Sequence, residues 1–369
     1  MTDVALLVQV LRDPSTACGL DGKAWDTLLR QSRSAGVSGK LGLLLEAAMP
    51  RANIPEAVRR ATDSALTIAA KIERDVRLEL YVLAELFADM PEPVILLKGT
   101  AYVAAGLEAA RGRVFGDIDI LVPQASLAPA ESRLKRAGWS FGPIDAYDER
   151  YYRCWTHELP PMEHQLRGTL IDVHHAILQE RRAGPDARVR MITDAQALDD
   201  RFRVLQPVDM VLHAAAHLFS DGEFDKGLRD LLDIVWLIRD FATRNTGFWD
   251  ALLERATVMR LRRPLYHALD HASRLLGLEV PVSVFRGLDG EKRFDPIMRP
   301  AMHRGLMPHH SSAADGLTPL AHHFLYLRAH YLRMPLAHLA LHLARKALRR
   351  DPVRENHPAP GAPPAPQRG

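Results

Sequence analysis

Residues 94–123 run VILLKGTAYVAAGLEAARGRVFGDIDILVP, and this stretch limits what the chain can become. Val94-Ile95-Leu96-Leu97 is short and β-branched enough for a buried strand, and residues 117–122 read as a second one. Lys98-Gly99-Thr100 breaks the first run, and residues 101–110 have helix-forming composition. Inside the second strand, Asp117 and Asp119 are two apart, so both carboxylates share a face while Ile118 points into a core. Like charges held that close repel, and a divalent cation between them is the natural relief. The plain alternative is the solvated start of a strand carrying two exposed acids.

The 369 residues allow two or three domains with ample core. Apolar residues make up 47% and charged residues 25%, the balance of a soluble globular chain. With 48 basic against 45 acidic residues the net charge is +3, which gives no strong argument for a nucleic-acid partner. Cys18 and Cys154 match no metal or redox spacing, so a cytoplasmic location is expected. The first residues, MTDVALLVQVLRDP, carry Asp3 and too short an apolar run for a signal peptide. No window reaches the roughly 18 uninterrupted apolar residues of a membrane span.

Residues 1–90 read as a helical region. A short apolar helix over 5–11 stops at Asp13-Pro14, and Trp25, Leu28 and Leu29, then Leu41, Leu43, Leu44 and Leu45, mark two more. Pro55 stands where a helix begins, and 57–87 is one long heptad-like helix. Residues 91–205 alternate strand and helix. A helix over 126–137 stops at Gly138, residues 139–149 are turn-rich, and strands are expected over 152–159 and 169–175. Helices are expected over 209–219, 226–241, 249–259 and 265–276, while 280–317 follow no period. Residues 206–350 are thus a second helical region, and 351–369, with six prolines, a disordered tail. The expected fold class is α+β, a small mixed sheet over 91–205 flanked by N-terminal and C-terminal helices.

Phosphoryl transfer of the two-metal kind needs carboxylates for cations, a glycine turn for close approach to phosphates, and a third acid to prime the attacking group. Gly99-Thr100 lies between strand and helix, where backbone N–H groups and a helix N-terminus can face an anion. Asp172 is the one acid inside the apolar strand LIDVH. A buried carboxylate is costly unless paired or metal-bound, so Asp172 is the candidate third acid.

The strings LLKG, RVFGDIDILV and IDVHHAIL, in that order, resemble the uncharacterised nucleotidyltransferase family within the DNA polymerase beta-like superfamily. That pattern has a glycine and a small residue after the first strand, then a DxD or DxE pair, then a distal acid. Gly99 and Thr100 match the first part, Thr100 departing from the commoner Gly or Ser but keeping a hydroxyl. Asp117 and Asp119 match the pair, and Asp172 the distal acid. The resemblance extends more loosely over residues 20–240. It implies that Asp117 and Asp119 hold one or two Mg²⁺ on the phosphates of a nucleoside triphosphate such as ATP. Asp172 would ligate the second metal and help deprotonate an acceptor hydroxyl, and pyrophosphate would leave. Lys98 and Arg113 fit the family's LKG and its Arg four residues before the first Asp, and would neutralise triphosphate charge. Their other reading is surface charge or an ion pair with the acids.

Asp209, His213 and His217 are spaced by four and share a helix face, and Arg229, Asp230 and Asp233 follow on the next helix. Histidines at that spacing can bind Zn²⁺, but Ala214 stands where an HExxH motif has Glu. A polar seam between helices is the simpler reading. The resemblance adds a third, in which these helices wall the nucleotide cleft with His217 or Asp230 near the base or acceptor. One of His174 and His175 should face the same cleft. Leu332, Leu336, Leu339 and Leu343, followed by ARKALRR, form a stripe over 320–350 that suits peripheral membrane contact or packing on the protein itself.

The expected activity is therefore a Mg²⁺-dependent nucleotidyltransferase acting on a nucleoside triphosphate and an unidentified hydroxyl acceptor. One competing class is a catalytically inactive nucleotide-binding or scaffold protein of the same fold. The other is a His/Asp phosphohydrolase, though no His-Asp dipeptide occurs and Asp270-His271 runs in the reverse order.

Overall fold

The structure, a computed structural model, describes residues 4–177, 185–221 and 224–333. Helix α1 (Leu6–Arg12) buries Leu7, Val8, Val10 and Leu11 and stops at Asp13, because Pro14 has no N–H to continue it. Helix α2 (Gly22–Ala35) starts at Asp21, whose carboxylate accepts the Ala24 N–H at 2.8 Å. Helix α3 (Ser38–Ala48) then packs on α4 (Glu56–Leu86), a 31-residue helix that follows Pro55 and buries Val58, Ala69, Val76, Leu80 and Leu83 along one side.

The next elements alternate: β1 (Val94–Leu96), α5 (Lys98–Ala104), β2 (Asp117–Leu121), α6 (Leu127–Arg136), β3 (Trp139–Phe141), α7 (Ala146–Tyr151), β4 (Met162–His164), β5 (Leu170–His174), α8 (Pro185–Thr193), β6 (Gln196–Ala197) and β7 (Phe202–Val204). Among the described residues these seven strands form one mixed sheet in the order β3-β4-β5-β2-β1-β7-β6. β2 runs antiparallel to β1 and parallel to β5, while β1 runs parallel to β7. Helices follow: α9 (Pro207–Ala216), α10 (Gly227–Arg244), α11 (Phe248–Val258), α12 (Arg262–Leu276), α13 (Val282–Gly287), α14 (Asp295–Leu306) and α15 (Thr318–Arg333). One continuous cluster of buried apolar side chains, from Ala5 to Leu325, runs through both helical groups and the sheet. The α+β class expected from the alternation is the one that forms.

Three local expectations are corrected. The strand expected over 152–159 is instead a π-helical turn, Tyr152–Thr156, followed by a single bridge from Glu158 to His174. Its aromatic, β-prone composition yields to a helix-spaced ion pair, Arg153 with Glu149 at 3.1 Å, which continues the path of α7. The span read as turn-rich holds β3 and α7, because Trp139 is buried edge-on against His164 of β4 at 5.3 Å between ring centroids. Residues 280–317, which showed no period, contain α13 and α14. Arg299 secures α14 to α12 through Asp270 at 2.9 Å, a contact no local pattern encodes. The amphipathic stripe is described only to Arg333, so Leu336, Leu339, Leu343 and residues 351–369 lie outside the described residues. No helix among the described residues is long and apolar enough to cross a membrane.

A buried charge cluster ties three segments together. Lys40 of α3 places Nζ 3.0 Å from Asp233 Oδ1 of α10, donates to the Ala109 carbonyl at 2.8 Å and lies 3.9 Å over the Trp236 ring. Arg113, in the loop before β2, donates from Nε to the other Asp233 oxygen at 2.6 Å. Close backbone contact supports this: a Cβ on Gly39 would lie 2.5 Å from the Gly112 carbonyl oxygen, so only glycine lets α3 reach that loop. Burial pushes the Asp233 carboxyl up, but Lys40 and Arg113 outweigh it and hold the group below its usual range.

Removing Asp233 leaves buried Lys40 without its carboxylate and Arg113 with only Asp230, 3.9 Å away. Asp233→Ala should cost roughly 3–5 kcal/mol of unfolding free energy, measured by urea denaturation at neutral pH. Because the folded-state pKa of Asp233 is depressed, its contribution is present above the unfolded value of about 3.9 and is lost as pH falls through the folded value. The gap between wild type and Asp233→Ala should therefore narrow in acid; a gap independent of pH would contradict this account.

Candidate active site

The site begins where β1 ends. The Leu97 N–H donates to the Asp119 carbonyl at 3.0 Å, carrying the β1–β2 pairing one residue further. The chain then turns sharply at Lys98, whose φ of +46° is in the left-handed region that non-glycine residues avoid. This turn starts α5 and lets Lys98 Nζ fold back to Asp119 Oδ1 at 2.9 Å. Strain sits at Lys98, and the neighbouring glycine has a different purpose. A Cβ on Gly99 would lie 2.3 Å from Arg113 Nη1 and 3.0 Å from Phe115 Cδ2, so Gly99 makes room for the guanidinium. Thr100 is fully buried, and its hydroxyl accepts the Asp119 N–H at 3.2 Å.

The parallel pairing of β2 with β5 sets the acids side by side. Its register aligns Asp117 with Leu170, Asp119 with Asp172 and Leu121 with His174. Ile118, Ile171 and Val173 are buried on the other face, so the apolar positions of both strands orient the acidic ones together. Each of Asp117, Asp119 and Asp172 offers a carboxylate oxygen within 4.8 Å of the others. Among the described residues this is the one cluster with the spacing of a metal site. Hard oxygen donors at this separation suit Mg²⁺ or Mn²⁺.

Mutual repulsion shows in the protonation balance. The Asp119 charge, and then burial, raise the Asp117 carboxyl. Burial and then the charges of Asp119, Glu158 and Asp117 raise that of Asp172. Asp119 moves the other way: burial opposes its charge, but Lys98 and His174 outweigh burial and hold it well below the carboxylate range. Lys98 is the converse, its ammonium held charged by Asp119, Asp117 and Asp172 against the cost of burial.

The remaining candidates divide. His174 faces the triad, with Nε2 3.2 Å from Asp119 Oδ1, while His175 turns to the Arg153 carbonyl at 3.3 Å. Arg113 is buried and committed to Asp233, with Asp230 Oδ1 3.9 Å from Nη2. Asp230 is paired to Arg229 at 2.9 Å, at the edge of that cluster. The helix face bearing Asp209, His213 and His217 does not act as one unit. Asp209 is fully buried and held by Arg255 at 2.8 and 2.7 Å. His213 is buried near the site, and burial, followed by Lys98, His217 and His174, pulls its pKa down to about 3, so it is neutral. His217 opens a π-helical turn, His217–Asp221, at the end of α9. Sequence reasoning missed Glu158, whose Oε2 lies 3.3 Å from His174 Nδ1, and Lys40. Neither stands in a motif; only the bridge to β5 and the packing of α3 reveal them.

A family model described as "Uncharacterised nucleotidyltransferase" matches residues 21–277, more than half of the chain. No curated protein and no solved structure matches.

The fit of Arg113 against Gly99 is directly testable. Gly99→Ala should destabilise the protein by about 1–3 kcal/mol, as overpacking does, read from the urea midpoint. In Asp233→Ala, where the guanidinium is no longer anchored, the same change should cost measurably less. Strict additivity of the two substitutions would break the link.

Proposed function

The chain belongs to the uncharacterised nucleotidyltransferase family. On that premise we propose that it moves a nucleoside monophosphate from a nucleoside triphosphate to a hydroxyl acceptor, releasing pyrophosphate, with Mg²⁺ held by Asp117, Asp119 and Asp172. The observation that carries this reading is the register that aligns Asp119 with Asp172, with Asp117 on the same face and all three ligand atoms within 4.8 Å. That separation suits oxygens that share a divalent cation, with Mg–O distances of about 2.1 Å; a second ion would stand about 4 Å from the first. Bound cations would supply charge neutralisation on the phosphate oxygens.

The rest falls to side chains of this protein. Thr100 holds the Asp119 backbone, and Lys98 holds its carboxylate. Asp172, on the adjacent strand and the same face, is the base that receives the acceptor's proton. Lys98 keeps about a fifth of its side chain exposed beside the triad, which favours it as the phosphate contact over Arg113, whose charge is used by Asp233. The phosphohydrolase reading loses support because Asp209 is occupied by Arg255 and no histidine belongs to a metal-spaced cluster among the described residues.

Incubation with Mg²⁺ and each labelled triphosphate in turn should give pyrophosphate release or label transfer with at least one of them. Asp117→Asn and Asp172→Asn should each reduce the rate about a hundredfold or more, the equivalent of several kcal/mol of charge stabilisation. If no triphosphate binds, or the Asp117→Asn rate equals wild type, the reading fails.

A further inference from the structure

Asp119 is gripped at one oxygen by two donors. His174 lies two residues beyond Asp172 on β5, so both project to the same face. From there its Nε2 reaches Asp119 Oδ1 at 3.2 Å, the same oxygen that Lys98 Nζ approaches at 2.9 Å. Its Nδ1 lies 3.3 Å from Glu158 Oε2, and Glu158 is the residue that bridges to β5 opposite His174. The two nitrogens of the ring sit between two carboxylates. Glu158, His174, Asp119 and Lys98 thus form a row of neighbours across the sheet. With Oδ1 engaged twice, the lone pairs left to Asp119 for another ligand are chiefly those of Oδ2.

Resting on the proposed function, we propose that His174, oriented by Glu158, is a positioning residue for the cation-binding carboxylate. It fixes Oδ1 of Asp119 so that the second oxygen is presented together with Asp117 and Asp172. Outer partners of this kind set the aim of a ligand, and their loss commonly weakens metal affinity 10- to 100-fold.

The test is Mn²⁺ binding to the full chain without nucleotide, with free ion counted by electron paramagnetic resonance. His174→Ala should raise the Mn²⁺ Kd about 10- to 100-fold. Glu158→Gln should raise it less, and His174→Gln, which keeps a donor, should recover part of the loss. Thermal melting checks that each variant is folded; should His174→Ala not fold, Glu158→Gln and His174→Gln decide the matter. Asp117→Asn separates the two levels of argument. Failure of the wild type to bind Mn²⁺ would remove the functional reading itself. Binding by wild type, loss in Asp117→Asn and an unchanged Kd in the His174 and Glu158 variants would overturn the positioning role alone.

Discussion

Parallel pairing of two strands forces two aspartates into adjacent positions, and much of the surrounding structure answers the repulsion that results. Like charges directly opposite each other destabilise a sheet, and burial raises the cost. Asp119, the most buried of the three, accordingly collects the compensation: the Lys98 ammonium, the His174 ring and the Thr100 hydroxyl on its backbone. Even the turn after β1 belongs to this response. Left-handed backbone at a residue with a Cβ costs roughly 1–2 kcal/mol, and Lys98 adopts it where its side chain meets Asp119. Asp117 and Asp172 have weaker local relief, and their mutual repulsion is what a bound cation would ease.

A second group of charges stabilises the first from behind. Arg113 stands four residues before Asp117, and its guanidinium is locked between Gly99 and Asp233. Lys40 completes the lock from α3. The loop leading into β2 is therefore held by the N-terminal helices, by α5 and by α10 at once. The proposed chemistry would depend on rigid support, since a misplacement of about 1 Å can cost a hundredfold in rate. The helical flanks are the natural source of that rigidity.

The acidic triad was readable from residues alone because strand alternation is a strict two-residue rule, and Asp172 stood out as a charge in an apolar run. The long helices were legible for the same reason, through their apolar period. What the residues alone do not reveal depends mostly on contacts distant in sequence. Arg113 carried two readings, and only the position of Asp233 shows which partner it has. Residues 152–156 have the aromatic composition of a strand, yet Glu149 and Arg153 favour a helical path. Glu158 belongs to no motif, and its place beside His174 follows from a bridge that no periodicity signals. Gly99 reads in the sequence as the turn residue, whereas its neighbour Lys98 carries the unusual backbone and Gly99 gives space.

The pairing of β1 with β7 has a consequence for the chain as it is made. β1 lies between β2 and β7, and the latter follows about a hundred residues later, ten seconds or so of synthesis at common elongation rates. During that interval one edge of an entirely apolar strand has no partner, although β2 and its acids have already emerged. Nascent chains in this state carry an unpaired strand edge, the feature that invites aggregation and chaperone capture. The order of strands thus leaves β1 open on one side until β7 has been made.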